Sequence, residues 1–238
     1  MASPAVTLPT RPCPAEVAEW ARELEGSPPD AIIRFAWDRF GPTLAVSTQF
    51  GVEGCTLLHR VAQHASGARI FTIDTGLLFH ETYELADLLE AQLGISIERI
   101  RPAASVGAQA VEHGPNLWES DPDLCCTLRK VVPMQQALEG MGAWLTAVRR
   151  QQSPTRRNMP VVQWDANFGL VKFAPLVAQT ADEITAYVEE NAVPTNPLRE
   201  LGYPSLGCLT CTRPVAEGED PRAGRWWRTT KTECGLHR

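Results

Sequence analysis

Apolar residues in the first part of the chain repeat at helical spacing. Val17, Trp20 and Leu24 lie three or four residues apart, which is the period of an amphipathic helix. A second pattern of the same kind follows Ser27, with prolines in its first turn, and stops at Gly41-Pro42. Neither predicted helix carries evident chemistry. We therefore expect both to cover a sheet.

Short apolar runs then alternate with helical patterns. The predicted strands span residues 44–47, 69–73, 95–100 and 143–148, and the predicted helices span 52–65, 81–93, 106–112 and 123–138. This alternation predicts an α/β fold with a mostly parallel sheet, right-handed crossovers and helices on both faces. A hairpin over 161–165 and 170–173 follows. A capping box at residues 180–183 then begins a helix that runs to about Asn191.

The periodic pattern ends near Val193. Proline, glycine, cysteine and arginine dominate the remaining residues. We therefore divide the chain into a disordered leader (1–14), a nucleotide-binding α/β domain (15–193) and an irregular segment with a mobile tail (194–238). The leader contains four prolines and lacks a basic stretch before an apolar block, so it is not predicted to be a signal peptide.

Charge and hydropathy narrow the class of ligand. The net charge is −6, which argues against a nucleic-acid polymer as the main ligand. Arginines cluster in the second half of the chain, which suits a small anion bound in a pocket, although a solvated surface position explains any single one of them. No run of eighteen apolar residues occurs, so no membrane span is predicted.

Seven cysteines are present, an odd number, and no secretory signal accompanies them. This composition favours a reducing, cytoplasmic location, where cysteine clusters usually serve metal binding or catalysis. Cys13 and Cys55 stand apart from the clusters, and we expect them to be structural or incidental. Cys55 is predicted to face the core from its helix.

Two loops follow predicted strands at the sheet edge where open parallel sheets bind ligands. The loop from Ser47 to Gly54 is rich in hydroxyls and glycine and precedes a helix. Backbone N–H groups and the helix dipole favour phosphate at such a position. Ile73-Asp74-Thr75-Gly76 is a second polar turn. Neither is a Walker A loop, and an ordinary strand-to-helix turn explains each of them as well.

Four further cysteines form two close pairs. Cys125 and Cys126 are adjacent, and Cys208-Leu209-Thr210-Cys211 is a C-x-x-C pair. Four thiolates suit zinc or a [4Fe–4S] cluster. Adjacent helical residues point about 100° apart, so both thiolates of a tandem pair reach a bulky cluster more easily than one small ion. A redox dithiol and a chance pair are the alternatives. We predict a four-cysteine metal site, with iron–sulfur favoured over zinc.

Cys234 lies in the run Glu233-Cys234-Gly235-Leu236-His237-Arg238. A thiol beside glycine in this segment is predicted to be exposed and mobile. Lys231 and His237 favour the thiolate form of a nucleophile, and Glu233 opposes it. An inert thiol explains the residue equally well on composition alone.

Taken together, these motifs resemble the assimilatory phosphosulfate reductases, specifically the cluster-bearing adenylyl-sulfate reductases of bacteria and plants. The motifs occur in the family's order over nearly the whole chain after the leader. They are the two polar loops, Cys125-Cys126-Thr127-Leu128-Arg129-Lys130, residues 149–156, Cys208-Leu209-Thr210-Cys211-Thr212-Arg213-Pro214, Gly224-Arg225-Trp226-Trp227 and Glu233-Cys234-Gly235-Leu236-His237. The final motif and the four paired cysteines are the most specific.

The resemblance implies an adenine-nucleotide α-hydrolase-like (Rossmann-like) fold and the reduction of adenylyl sulfate in sulfate assimilation. It implies that Cys234 attacks the sulfate sulfur, expels AMP and forms a thiosulfonate from which thioredoxin, or a similar dithiol protein, releases sulfite. The implied ligands of one [4Fe–4S] cluster are Cys125, Cys126, Cys208 and Cys211. The implied substrate contacts are Ser47, Lys130, Arg156, Arg222, Arg225 and His237.

Two positions depart from the family pattern. Ala147-Val148 stand where the family commonly has glycine before an arginine pair, and the first loop reads Ser47-Thr48-Gln49-Phe50-Gly51 rather than Ser-Phe-Ser-Gly. The nucleotide-binding loops of this sequence therefore match the family's motifs less closely than its cysteines do.

Three alternatives remain. A 3′-phosphoadenylyl-sulfate reductase generally lacks the four paired cysteines. A related sulfur-transfer enzyme that acts on RNA carries Ser-Gly-Gly-x-Asp-Ser in the first loop, which is absent here. A zinc-binding module would leave Cys234 unexplained. Adenylyl sulfate and thioredoxin are thus the expected partners, without nucleic acid or membrane, and a homo-oligomer stays open.

Overall fold

The structure is a computed structural model that describes residues 11–236. Its helices are α1 (Pro14–Leu24), α2 (Pro29–Phe40), α3 (Val52–His64), α4 (His80–Leu93), α5 (Val106–His113), α6 (Leu117–Ser120), α7 (Pro122–Cys126), α8 (Val132–Leu138) and α9 (Ala181–Glu190). Its strands are β1 (Leu44–Thr48), β2 (Arg69–Ile73), β3 (Ile97–Ile100), β4 (Ala143–Leu145), β5 (Val162–Asp165) and β6 (Leu170–Phe173).

The six strands form one sheet in the order β3-β2-β1-β4-β6-β5. All neighbours are parallel except β5 and β6, which form the antiparallel hairpin predicted from the sequence. The strand order places the loops after β1, β2 and β4 side by side at one edge of the sheet. The predicted α/β class with a mostly parallel sheet is confirmed.

Alternate residues of the strands face opposite sides of the sheet, as the pleat requires. Leu44 and Val46 of β1 belong to a large apolar cluster with residues of α1, α2, α3 and α9. Ala45, which lies between them, belongs to a smaller cluster with α8. Leu236 completes this second cluster with only 6% of its surface exposed. The last described residue of the chain is therefore part of the core.

Local sequence explains the ends of several helices. Helix α4 ends at Gly94, whose φ of 62° is left-handed and suits glycine. At the start of α9, the Thr180 side chain accepts a hydrogen bond from the Glu183 N–H, and the Glu183 carboxylate accepts one from the Thr180 N–H. The predicted capping box is confirmed.

Among the described residues, no helix has both the length and the apolar character needed to cross a membrane.

The helical stretch predicted over 123–138 is confirmed, but it is not one regular α-helix. Helix α7 passes into one π turn, Thr127–Val131, before α8 begins. Proline at position 133 has no N–H to donate to the preceding turn, which favours a wider turn at this point. The strand predicted over 143–148 also ends early, at Leu145.

The segment after Val193 is irregular, as predicted. It contains two short 3₁₀ turns, Pro197–Arg199 and Leu209–Cys211, and an isolated bridge between Thr212 and Arg225. Its backbone hydrogen bonds lie mostly within the segment itself, and contacts with the α/β domain add to them. The Leu209 N–H, for example, donates to the Leu77 carbonyl at 2.7 Å.

Candidate active site

The loop after β1 is tightly folded. Ser47 is half-buried in β1 opposite Phe71 of β2. The Thr48 hydroxyl accepts a hydrogen bond from the Phe50 N–H at 3.1 Å. A Cβ on Gly54 would lie only 2.7 Å from that hydroxyl oxygen, so glycine is needed for α3 to pack against the loop. The N-terminus of α3 is thereby fixed at the ligand-binding edge of the sheet.

The loop after β2 is organised by the buried carboxylate of Asp74. It accepts hydrogen bonds from the Gly76 N–H at 3.0 Å, the Tyr83 hydroxyl at 2.6 Å and the Arg101 guanidinium at 2.9 Å. Burial alone would raise the pKa of Asp74, but these three donors hold the pKa below its usual value. The carboxylate therefore stays ionised and fixes the turn.

Thr75, in the same loop, joins the two cysteine pairs. Its hydroxyl lies 3.4 Å from the Cys208 sulfur, and its carbonyl accepts a hydrogen bond from Arg129 at 2.6 Å. Arg129 follows the tandem cysteines on the π turn, and it also donates to the Gln109 side chain at 3.1 Å. Gln109 in turn lies 3.9 Å from the Cys125 sulfur. The loop after β2 therefore contacts Cys208 directly and is linked to Cys125 through Arg129 and Gln109.

All four paired cysteines line one cavity, together with Trp118, Arg129 and Lys130. Burial, together with the neighbouring thiols of Cys126, Cys208 and Cys211, raises the pKa of Cys125 to about 11. Burial likewise raises the pKa of Cys211. Four thiolates at this spacing need positive charge between them to stay ionised.

The four cysteines supply the thiolates that an iron–sulfur cluster or a zinc ion binds. Among residues 11–236, no group of three or more His, Cys, Asp or Glu is placed to hold one metal ion. The four cysteines do line one shared cavity. The Thr75 hydroxyl and the Gln109 amide lie beside two of the sulfurs, as hydrogen-bond donors do around iron–sulfur clusters.

Lys130 is a buried cation between the cysteine group and Cys234. Only 7% of its surface is exposed. Burial alone would lower the pKa of Lys130, but the nearby thiols of Cys208, Cys234 and Cys126 raise it overall. The ammonium therefore stays charged in a site of low dielectric, where a fixed charge acts most strongly on an anion.

Arg225 is a second cation at this site. It donates to the Ser205 hydroxyl at 3.2 Å and to the Leu206 carbonyl, and its guanidinium lies 4.7 Å from the centre of the Trp226 ring. Its Nε has no hydrogen-bond partner within the described part of the chain. Burial lowers the pKa of Arg225, and the nearby Cys234 opposes that shift. Gly207 leaves room for the guanidinium, because a Cβ there would lie 2.6 Å from its Cζ.

Cys234, which was predicted to be exposed, is half-buried between two anchored residues. Glu233 is buried and accepts two hydrogen bonds from Arg156, at 2.9 and 2.8 Å. Arg222 lies 3.4 Å from the same carboxylate and donates to the Thr232 carbonyl at 2.9 Å. Two of the predicted substrate contacts, Arg156 and Arg222, are therefore engaged with the polypeptide next to Cys234.

The structure brings together most of the predicted site residues. Those around Cys234 and the cavity are Lys130, Arg156, Arg222, Arg225, Cys125, Cys126, Cys208 and Cys211. Ser47 lies apart in β1, and His237 lies outside the described residues. The supporting roles of Thr75, Arg129 and Glu233 could not be predicted from the motifs, although all three residues occur within them.

The two remaining cysteines differ in environment. Cys55 is fully buried, and burial raises the pKa of its thiol to about 12. It faces the core, as predicted. Cys13 is exposed just before α1. Neither belongs to the site.

Comparison with known proteins gives a consistent result. Residues 43–214 match the model of the phosphoadenosine phosphosulfate reductase domain. The chain is 43% identical over 216 residues to an adenosine 5′-phosphosulfate reductase of Streptomyces coelicolor, covering 91% of both chains. It is also 43% identical over 220 residues to a phosphoadenosine 5′-phosphosulfate reductase of Gloeobacter violaceus, again covering 91% of both.

Solved structures agree on the fold. A phosphoadenylyl-sulfate reductase from Candida auris, crystallised with phosphate, is 31% identical with a TM-score of 0.74, over 83% of this chain and 96% of that one. A Candida glabrata FMN adenylyltransferase is 14% identical with a TM-score of 0.56, over 93% and 72%, and this likeness concerns the fold alone. The predicted adenine-nucleotide α-hydrolase-like fold is confirmed.

Proposed function

The chain belongs to the phosphoadenosine phosphosulfate reductase family, as its motifs predicted, and we propose that it reduces adenylyl sulfate to sulfite and AMP in sulfate assimilation. The observation that carries this proposal is the position of Lys130, buried between the four cavity-lining thiols and Cys234. An adenosine 5′-phosphosulfate reductase is among its relatives at 43% identity. The cysteine group favours this substrate over the 3′-phosphorylated nucleotide.

Cys125, Cys126, Cys208 and Cys211 would hold a [4Fe–4S] cluster. The shared cavity and the polar groups of Thr75 and Gln109 beside the sulfurs support this assignment. When bound, the cluster would supply a rigid anchor and a fixed charge distribution beside Lys130. The covalent chemistry proposed for this chain belongs to Cys234.

The thiolate of Cys234 would attack the sulfur of the sulfate group. An S–S bond forms, the bond from sulfur to the phosphate oxygen breaks, and AMP leaves with that electron pair. Negative charge grows on the leaving phosphate during this step, so fixed cations stabilise the transition state more than the ground state. Lys130 and Arg225 are buried beside Cys234 and would serve in that role.

A dithiol protein such as thioredoxin would complete the cycle. One of its thiolates attacks the sulfur of Cys234, a mixed disulfide forms, and sulfite leaves with the electrons of the broken S–S bond. The second thiol of the reductant then attacks the reductant's own sulfur in this mixed disulfide. Cys234 returns as a thiolate and the reductant leaves as a disulfide.

The cytoplasmic location remains a prediction.

The covalent step is tested by mass spectrometry. The protein is incubated with adenylyl sulfate in the absence of reductant, and we expect one added sulfonate on the peptide that contains Cys234. Reduced thioredoxin should remove this mass and release sulfite. Cys234→Ser should bind nucleotide normally without turnover, because a hydroxyl is a much weaker nucleophile at neutral pH.

Cys13→Ser is the matched control, since Cys13 is exposed and remote from the cavity. It should form the adduct and turn over at the wild-type rate. An adduct on Cys13 or Cys55, or turnover by Cys234→Ser, would show that the proposed mechanism is wrong.

The relative from Gloeobacter violaceus, which is named for the 3′-phosphorylated nucleotide, supports a second candidate substrate. Sulfite release from the two nucleotides is therefore compared under equal thioredoxin. We expect adenylyl sulfate to be much the better substrate. The reverse preference would assign the chain to phosphoadenylyl-sulfate reduction, with the same nucleophile.

A further inference from the structure

The carboxylate of Glu233 is the meeting point of several donors from one short segment. Arg156 contributes two hydrogen bonds, at 2.9 and 2.8 Å, and the hydroxyls of Ser153 and Thr155 each contribute one, at 3.3 Å. Arg222 adds a second guanidinium at 3.4 Å. The side chains of Glu233 and Arg156 are each 7% exposed. Such convergence exceeds what a solvated surface pair provides.

A second anchor lies on the other side of Cys234. Gly235 has a φ of 92°, a conformation that favours glycine. A Cβ there would lie 3.3 Å from a methyl of Val131 on the π turn. Leu236 is then buried in the apolar cluster against α8. Cys234 is thus held between a polar contact and an apolar contact, next to Lys130.

From these contacts we propose that Glu233 is a positioning residue, whose pairing with Arg156 docks the chain segment 232–236 and holds the Cys234 thiol beside Lys130 and Arg225. The inference rests on the proposed role of Cys234 as nucleophile. In this proposal Arg156 binds the segment 232–236 and not the substrate. Its Nε and Nη2 donate hydrogen bonds to Glu233, and its Nη1 donates one to the Gln152 side chain. A bound anion would have to displace a buried carboxylate to reach it.

The pairing of charges around Cys234 supports the positioning role of Glu233. Arg156 and Arg222 face Glu233 from the 3₁₀ turn Pro154–Arg156 and from the tail segment, and Lys172 of β6 lies close enough to be influenced by the pair. Lys172 has its own partner, Asp165, at 3.7 Å. Next to Cys234, neither Lys130 nor Arg225 forms an ion pair with a carboxylate of the described residues. They remain available to an anionic substrate.

The docking is tested first without any nucleotide. The rate at which a neutral maleimide labels Cys234 is measured in the wild type, Glu233→Gln and Glu233→Asp, with the exposed Glu217→Gln as the matched control. Removal of the charge frees the segment, so we expect Glu233→Gln to label at least about tenfold faster, as an undocked segment would. Glu233→Asp should fall between the two, and Glu217→Gln should match the wild type.

The second measurement concerns the reaction itself. Adduct formation from adenylyl sulfate should be about a hundredfold slower in Glu233→Gln, since misplacement of a reacting group by about 1 Å has that effect. AMP affinity should change little. Arg156→Gln should reproduce both effects, and the double variant should be no worse than the more impaired single variant, because the two residues act as one unit.

Two outcomes would overturn the inference. One is wild-type labelling and adduct formation in Glu233→Gln; the other is an Arg156→Gln variant that loses nucleotide affinity while Cys234 stays protected. Thermal unfolding and absorbance of each variant verify that the fold and the metal site are intact. If the wild type forms no adduct with either nucleotide, the proposed function fails, whereas the maleimide rates and the double variant still decide the docking.

Discussion

The hydroxyl of Thr75 lies 3.4 Å from the sulfur of Cys208, and both residues are buried. The same hydroxyl accepts a hydrogen bond from the Leu77 N–H at 3.2 Å, and the Leu77 carbonyl binds the N–H of Leu209. The turn after β2 therefore holds the C-x-x-C pair in place. It is also the turn whose Thr75 carbonyl receives Arg129 from the π turn that follows the tandem cysteines.

Thr75→Val removes the hydroxyl and keeps the shape of the side chain. We expect a loss of about 1–3 kcal/mol in stability, because the Leu77 N–H is left without its acceptor. Weakening of the metal site by roughly 10- to 100-fold should accompany it. Unfolding midpoints and metal content of the purified protein measure the two effects. Thr75→Ser, which retains the hydroxyl, should behave like the wild type, and equal metal retention in both variants would contradict the role of this contact.

Much of the fold follows from local sequence. The strand over 69–73 coincides with β2, because a short apolar run between polar turns is typical of a buried parallel strand. Helix α4 and its glycine stop are also local features. The π turn is different. It depends on Pro133 and on the tertiary contacts of Arg129, which lies 54 residues from its partner Thr75. Hydrophobic periodicity carries no information about such contacts.

The site shows the same division. The four paired cysteines stand in recognisable motifs, and the structure places them around one cavity. For Glu233, in contrast, the sequence predicts only a negative charge that opposes the Cys234 thiolate. Its partner Arg156 lies 77 residues away in the chain. In the folded chain Glu233 pairs with Arg156 and fixes the position of the neighbouring Cys234, and only the tertiary structure shows this pairing.

Gly207→Ala should displace Arg225. The added Cβ would lie 2.6 Å from the guanidinium carbon, closer than any side chain tolerates. Loss of one fixed cation at a reacting anion typically slows a reaction about 10²- to 10³-fold. We expect adduct formation on Cys234 to slow to that extent. Gly107→Ala is the control, since its Cβ would meet only the Ser105 hydroxyl at 3.8 Å. A fast Gly207→Ala variant would show that the position of Arg225 is unimportant.

Asp74 should make stability depend on pH in acid. Its three donors hold the pKa of the carboxyl below the usual value of 3.8, so its contribution is complete above pH 3.8 and is lost as the pH falls through the folded-state pKa. Asp74→Asn should be less stable than the wild type by about 1–3 kcal/mol at pH 6. The difference should shrink below pH 3.8. Chemical denaturation of both proteins across this range measures it, and a constant difference would contradict the assignment.

The last prediction concerns the metal. Burial raises the pKa of Cys125 to about 11, and Cys211 is raised as well. Without a metal these thiols would therefore be mostly neutral at pH 7. A [4Fe–4S] cluster would keep them ionised, so we expect about four irons per chain and a broad absorbance band at about 400 nm.

Each of the substitutions Cys125→Ser, Cys126→Ser, Cys208→Ser and Cys211→Ser should abolish the band and nearly all sulfite release, because serine does not supply a thiolate. Cys55→Ser serves as the control, since Cys55 is buried away from the cavity, and it should retain both. Stoichiometric zinc in a fully active wild type would exclude the cluster. Such a result would leave the Cys234 chemistry untouched, because Lys130 lies beside Cys234 as well as beside the paired thiols, and its charge would then be balanced by zinc-bound thiolates.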